Sequence, residues 1–124
     1  MQRWYISNKV KDIQDYYAPV LGELELLVLL ALVRLGNGAY GAAIRREIRE
    51  RAGREVAVSS VYVTLGRLVA KGMVASYVGN PSAERGGRRR THYLLDAAGQ
   101  AALGRAFRTF QKMTGGFEQQ LAGM

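Results

Sequence analysis

The chain has 124 residues, enough for one domain with one modest core and too few for two. Its apolar share of 48% excludes disorder, and the lack of cysteine excludes a disulfide framework, a thiolate metal site and a thiol nucleophile. The net charge of +8 is concentrated: residues 40–90 carry eleven basic side chains against four acidic, whereas residues 1–39 balance at four each, a local positive field suited to a polyanion.

The first residues, Met1 to Tyr5, lack the apolar stretch of a secretory signal. Ile6, Val10, Ile13 and Tyr17 recur at helical steps, predicting a helix from Trp4 to Tyr17 that Pro19 stops. Trp4 reads as a packing anchor. From Glu23 to Leu35 almost every position is apolar, so this helix must be buried on more than one side. A second subunit is the natural cover, with Leu24, Leu27 and Val28 at that interface. The run Leu24–Leu35 contains Glu25 and Arg34 and is too short to cross a bilayer, so a cytoplasmic protein without membrane contact is expected. Gly36-Asn37-Gly38 ends it.

From Tyr40 to Ala52 the pattern is amphipathic, with Tyr40, Ile44, Ile48 and Ala52 on one face and charged residues on the rest; Gly53 ends it. A helix is predicted over Ser59–Gly72, with Ser59 as its cap. At 100° per residue, Val61, Leu65, Leu68 and Val69 share a core side, while Ser60, Val63, Thr64, Arg67 and Lys71 share the opposite one. Tyr62 lies near the edge of the apolar face, where packing and DNA contact are both open.

The period then changes to two. Met73–Gly79 and Thr91–Leu95 predict paired strands. Between them lies a turn-rich loop, residues 80–90, with Arg85, Arg88, Arg89 and Arg90 against one acid, Glu84. The single histidine, His92, sits in the strand pattern and reads as structural or close to DNA. Asp96 can cap a last helix on which Leu103, Phe107, Phe110 and Phe117 follow a helical seam, Thr114 filling the step between the last two phenylalanines. The seam reads as a dimer interface, and Gly115-Gly116 predicts a break near its end.

These elements predict a mostly α fold with a small β-hairpin wing. It is a winged helix-turn-helix with an extra N-terminal helix (1–20), a winged-helix domain (21–95) and a C-terminal dimerisation helix (96–124). A helix fits the major groove, where Ser60, Thr64, Arg67 and Lys71 would meet base edges. An arginine loop beside it suits the phosphate backbone or the minor groove. No enzyme is expected: HExxH, GxSxG and P-loop motifs are all missing. No cofactor or metal site is expected either. The alternative is a winged helix serving as a protein-interaction module without DNA binding; the mostly polar and basic stripe argues against it.

Five stretches together carry a family resemblance: Leu21-Gly22-Glu23-Leu24-Glu25-Leu26-Leu27-Val28-Leu29, Ala39-Tyr40-Gly41, Ser60-Val61-Tyr62-Val63-Thr64-Leu65-Gly66-Arg67-Leu68, Lys71-Gly72-Met73-Val74, and Gly86 through Leu95 with Asp96-Ala97-Ala98-Gly99 after it. Over Leu21–Gly99 the chain resembles the PadR-type transcriptional regulators, in particular the compact subgroup with a single short C-terminal helix. The resemblance implies a dimeric winged-helix repressor of a palindromic operator in double-stranded DNA, with the C-terminal helix at the homodimer interface. It implies DNA contact by Tyr62 on the recognition helix, a position near a phosphate for Tyr40, and Arg88–Arg90 in the wing. A small-molecule effector at the dimer interface is a further expected partner. The family often has basic or polar residues where this chain has Val63 and Gly66.

Overall fold

The structure, a computed structural model, describes residues 20–36, 38–80 and 89–124. The helix expected between Trp4 and Tyr17 lies outside the described residues, as do Arg85 and Arg88.

Helix α1 (Glu23–Leu35) opens as its sequence suggests. Glu25, three residues past Gly22, reaches back and accepts the Gly22 amide at 2.9 Å, one half of a capping box. Gly36, with φ of +83°, ends the helix and returns its amide to the Leu32 carbonyl at 2.9 Å. A two-residue strand β1 (Ala39–Tyr40) leads into α2 (Gly41–Ala52), which stops at Gly53 in the left-handed conformation. Helix α3 (Val58–Ala70), strands β2 (Val74–Val78) and β3 (Thr91–Leu95), a long α4 (Ala97–Thr114) and a short α5 (Glu118–Ala122) follow.

β3 lies between β1 and β2, antiparallel to both. Period-two patterning predicted β2 and β3 and missed β1, because two residues are too few to show a period. On α4 and α5 the expected break is present: α4 ends at Thr114, whose Oγ1 donates to the Phe110 carbonyl at 2.7 Å, and Gly116 takes φ of +88° before α5.

The three helices α1, α2 and α3 close one core over the sheet. Val28, Leu29 and Leu32 of α1, Ile44 and Ile48 of α2, and Val61, Leu65 and Leu68 of α3 meet Val74, Tyr93 and Ala102. α4 joins this core only at its start. There Gly99 is buried so close to the residue before β2 that a Cβ on it would lie 2.3 Å from the Met73 carbonyl oxygen. Among the described residues no helix is long and apolar enough to cross a membrane.

The apolar surface of α1 is not where the sequence put it. Val28 is fully buried in the subunit's own core, and Leu24 and Leu27 are half-buried against that core. The exposed apolar residues of α1 are instead Leu30, Val33 and Leu35. The reason is that α2, α3 and β3 all pack on one side of α1. They consume the positions assigned to a partner and leave the opposite side open.

Candidate nucleic-acid interface

Helix α3 presents its outer side to solvent, but rotated from the expected face. Its cap is Ala57, in extended conformation, and not Ser59. The amides of Ser60 and Val61 both turn back to the Ala57 carbonyl, so Ser59 falls on the exposed first turn, with no capping bond from its side chain. Ser60, Val63 and Arg67 are exposed, as expected, and so is Tyr62, whose position the sequence left open. Thr64 is not: at 4% exposure it belongs to the core side, and Val69, assigned there, is part-exposed instead. At 100° per residue Thr64 lies about 60° from Val61 and about 40° from Leu68, on the flank of the core side, and it lines a groove with Leu24, Ser59, Ser60, Val63 and Arg67. The outermost row, opposite Val61, Leu65 and Leu68, is therefore Ser59, Val63, Gly66 and Ala70.

Lys71 follows the end of α3, and its Nζ lies 2.7 Å from Glu25 Oε2. It is bound within the subunit and is not the free groove cation the sequence suggested. The hydrogen bond from Lys71, then that from the Gly22 amide, hold the Glu25 carboxyl below its ordinary range against the opposing effect of burial.

Further basic residues of the 40–90 segment are also committed. Arg45 Nε donates to the Val56 carbonyl at 2.7 Å and its guanidinium lies 3.5 Å from Glu55, fastening the turn before α3. Arg51 shares Glu47 with Arg34, and Arg54 pairs with Glu23. Arg46, Arg49, Arg67 and Arg89 make no ion pair among the described residues.

Beside α3 the base of the wing is an aromatic ladder. Register places Tyr40, His92 and Tyr77 level across β1, β3 and β2. The Tyr77 ring stacks on His92 at 5.0 Å, and Tyr40 meets His92 edge-on at 6.2 Å. The His92 ring is fixed by an Nδ1 contact of 2.5 Å to the Gly38 carbonyl. Gly79 has to be glycine for this packing, since a Cβ there would lie 2.6 Å from His92 Nε2. The Arg90 guanidinium sits 3.9 Å above the Tyr40 ring, a cation–π contact that holds it at the start of α2.

Tyr62 completes the constellation. Its ring lies over Gly41, the first residue of α2, where a Cβ would come within 2.5 Å of Tyr62 Cζ. The exposed flank of α3, the start of α2 and the base of the wing thus converge at Tyr40 and Gly41. The N-terminal amides of α2, at the positive end of its dipole, carry no side-chain cap. Neither Gly41 nor Tyr77 was marked as functional by the sequence, whereas Tyr40 was and His92 was read as structural or close to DNA. The triplet Ala39-Tyr40-Gly41 was visible, but not the contact that requires its glycine. Among the described residues no group of three His, Asp or Glu side chains is placed to hold a metal.

The comparisons with known proteins agree with this architecture. No curated protein matches the sequence. Among solved structures, a PadR family transcription regulator from Clostridium difficile is 24% identical, with 81% of this chain and 99% of that chain covered and a TM-score of 0.66. One from Eggerthella lenta is 21% identical, covering 97% of this chain and 95% of that chain, TM-score 0.62. A winged-helix DNA-binding protein from STIV is 15% identical, covering 73% and 90%, TM-score 0.59. These likenesses establish the winged-helix fold. The profile of the transcriptional regulator PadR-like family matches residues 29–105, more than half the chain, and the chain therefore belongs to the PadR-like family of transcriptional regulators.

Proposed function

We propose that this protein is a sequence-specific repressor that binds a palindromic operator as a homodimer. The observation that carries the reading is the convergence at Tyr40 and Gly41. An exposed helix flank with Ser59, Ser60, Val63 and Arg67 lies beside an uncapped helix start and an anchored wing arginine, Arg90. A helix of this size enters the major groove and offers these side chains to base edges. The start of α2, with Tyr40 and Tyr62 over it, suits a phosphate oxygen. Arg89 and Arg90, with Arg85 and Arg88 of the loop, suit the backbone or the adjacent minor groove.

The homodimer is supported by the second half of α4. Phe107, Phe110, Met113 and, past the break, Phe117 and Leu121 are all exposed, although Leu103, one step earlier, packs on the core. Such a contiguous apolar face fits an interface between copies of the chain. Leu30 and Val33 of α1 add to the apolar surface available for it. Two copies would set their recognition helices in successive major grooves, about 34 Å apart.

Selection of bound sequences from random duplex DNA tests the reading. The expected product is an inverted repeat with half-sites one helical turn apart, bound by two chains. No enrichment, or enrichment of unpaired single sites, overturns it.

A further inference from the structure

The centre of the α3 outer row holds an exposed valine beside a glycine that the fold does not need. Besides Gly41, the first residue of α2, three glycines lie inside helices of the described residues: Gly66, Gly99 and Gly104. A Cβ on Gly99 would lie 2.3 Å from the Met73 carbonyl oxygen, which is backbone, and one on Gly104 would lie 3.1 Å from Arg108 Nη1, the movable end of a side chain. Gly66 has nothing within 4 Å of where a Cβ would sit, and its φ is not positive. A glycine inside a helix disfavours it by about 1 kcal/mol relative to alanine. Here nothing within the subunit returns that cost. Its neighbour on the row, Val63, is 55% exposed, the most exposed of the large apolar side chains on α3, and shares the outermost row with Ser59, Gly66 and Ala70.

We infer that Val63 and Gly66 form a close apolar contact with a thymine 5-methyl group on the floor of the major groove. The methyl is the one apolar feature that the major groove displays, and it marks an A·T pair and its orientation. Gly66 removes the side chain that would hold the helix axis away from the base edges. Val63, one turn earlier, then meets the methyl with its own branched methyls, while Ser60 and Arg67 on the flank remain for polar base edges. This rests on the DNA-binding reading above and names one base that this reading leaves open.

The test uses the full chain and a duplex operator obtained by selection, with each thymidine in turn replaced by deoxyuridine, which lacks only the methyl. One replacement per half-site is expected to weaken wild-type binding by about fourfold, the value of one buried methyl group. The same replacement should cost V63A nothing, because the partner surface is gone. G66A is expected to raise the unfolding midpoint by about 4 °C, yet to weaken operator binding by about tenfold as the added methyl enters a close contact. If no thymidine is sensitive, or V63A loses as much as wild type at the same position, the inference is wrong while DNA binding stands. If G66A binds as tightly as wild type, the close approach at Gly66 is wrong. If no duplex is bound at all, both this inference and the reading beneath it fall.

Discussion

Lys71 and Glu25 are joined at 2.7 Å across 46 positions of sequence, so the cation that follows α3 is held by the first turn of α1. A residue that the sequence offers to DNA is thereby made part of the frame that orients α3.

That pair makes stability pH-dependent. Glu25 has its carboxyl lowered from the ordinary value of 4.5, chiefly by the Lys71 hydrogen bond and then by the Gly22 amide. A depressed folded value means the contribution is complete above the unfolded value and is lost as pH falls through the folded one. Urea unfolding of wild type and E25Q is expected to differ near neutrality and to converge in acid below the carboxylate range. A constant difference across that range would contradict it.

Lys71 and the wing arginines should separate in a salt titration of DNA binding. Each phosphate contact contributes about −0.9 to the log–log slope. Alanine at Arg89 and Arg90 together is expected to flatten the slope by nearly two phosphates' worth, on all sequences alike. K71A should leave the slope close to wild type and lower the unfolding midpoint instead. Fluorescence anisotropy over a range of salt, beside thermal melts, reads both.

The contact of Tyr62 with Gly41 is testable as a cycle. G41A places a methyl 2.5 Å from Tyr62 Cζ and must displace the ring; a destabilisation of about 1 kcal/mol is expected. In a Y62A background the same change meets no ring and gains helix propensity, so it should be neutral or stabilising. Equal effects in both backgrounds would show that the ring does not rest on Gly41.

Gly99 predicts the largest single loss. Its added Cβ would meet backbone, the Met73 carbonyl oxygen at 2.3 Å, which cannot swing aside as a side chain can. G99A is expected to destabilise by about 3 kcal/mol, the upper part of the range for overpacking. Thermal unfolding with little change would mean that α4 can shift on β2 without cost.

The apolar face of α4 predicts a sedimentation result. Wild type should sediment at twice the chain mass of 13.7 kDa, and F110D at the chain mass itself with its far-ultraviolet spectrum retained, because Phe110 has no core role within the subunit. Operator affinity should fall with the loss of the second half-site.

Much of this protein is legible from local patterns alone. The period of apolar residues marked α1 to α4, the change to period two marked β2 and β3, and Gly115-Gly116 marked the break before α5. Each is a matter of residues a few positions apart, where backbone geometry ties sequence to face. The tertiary structure decided what depends on distant partners. Glu25 of α1 bound Lys71, while the packing of α2, α3 and β3 on α1 buried Val28 and left Leu30 and Val33 exposed. Strand register, set by pairing across the sheet, built the Tyr40–His92–Tyr77 ladder and placed Arg90 on Tyr40. A helical wheel has the symmetry of one helix, and only the neighbours that cover its flanks decide which of its edges is left for a ligand.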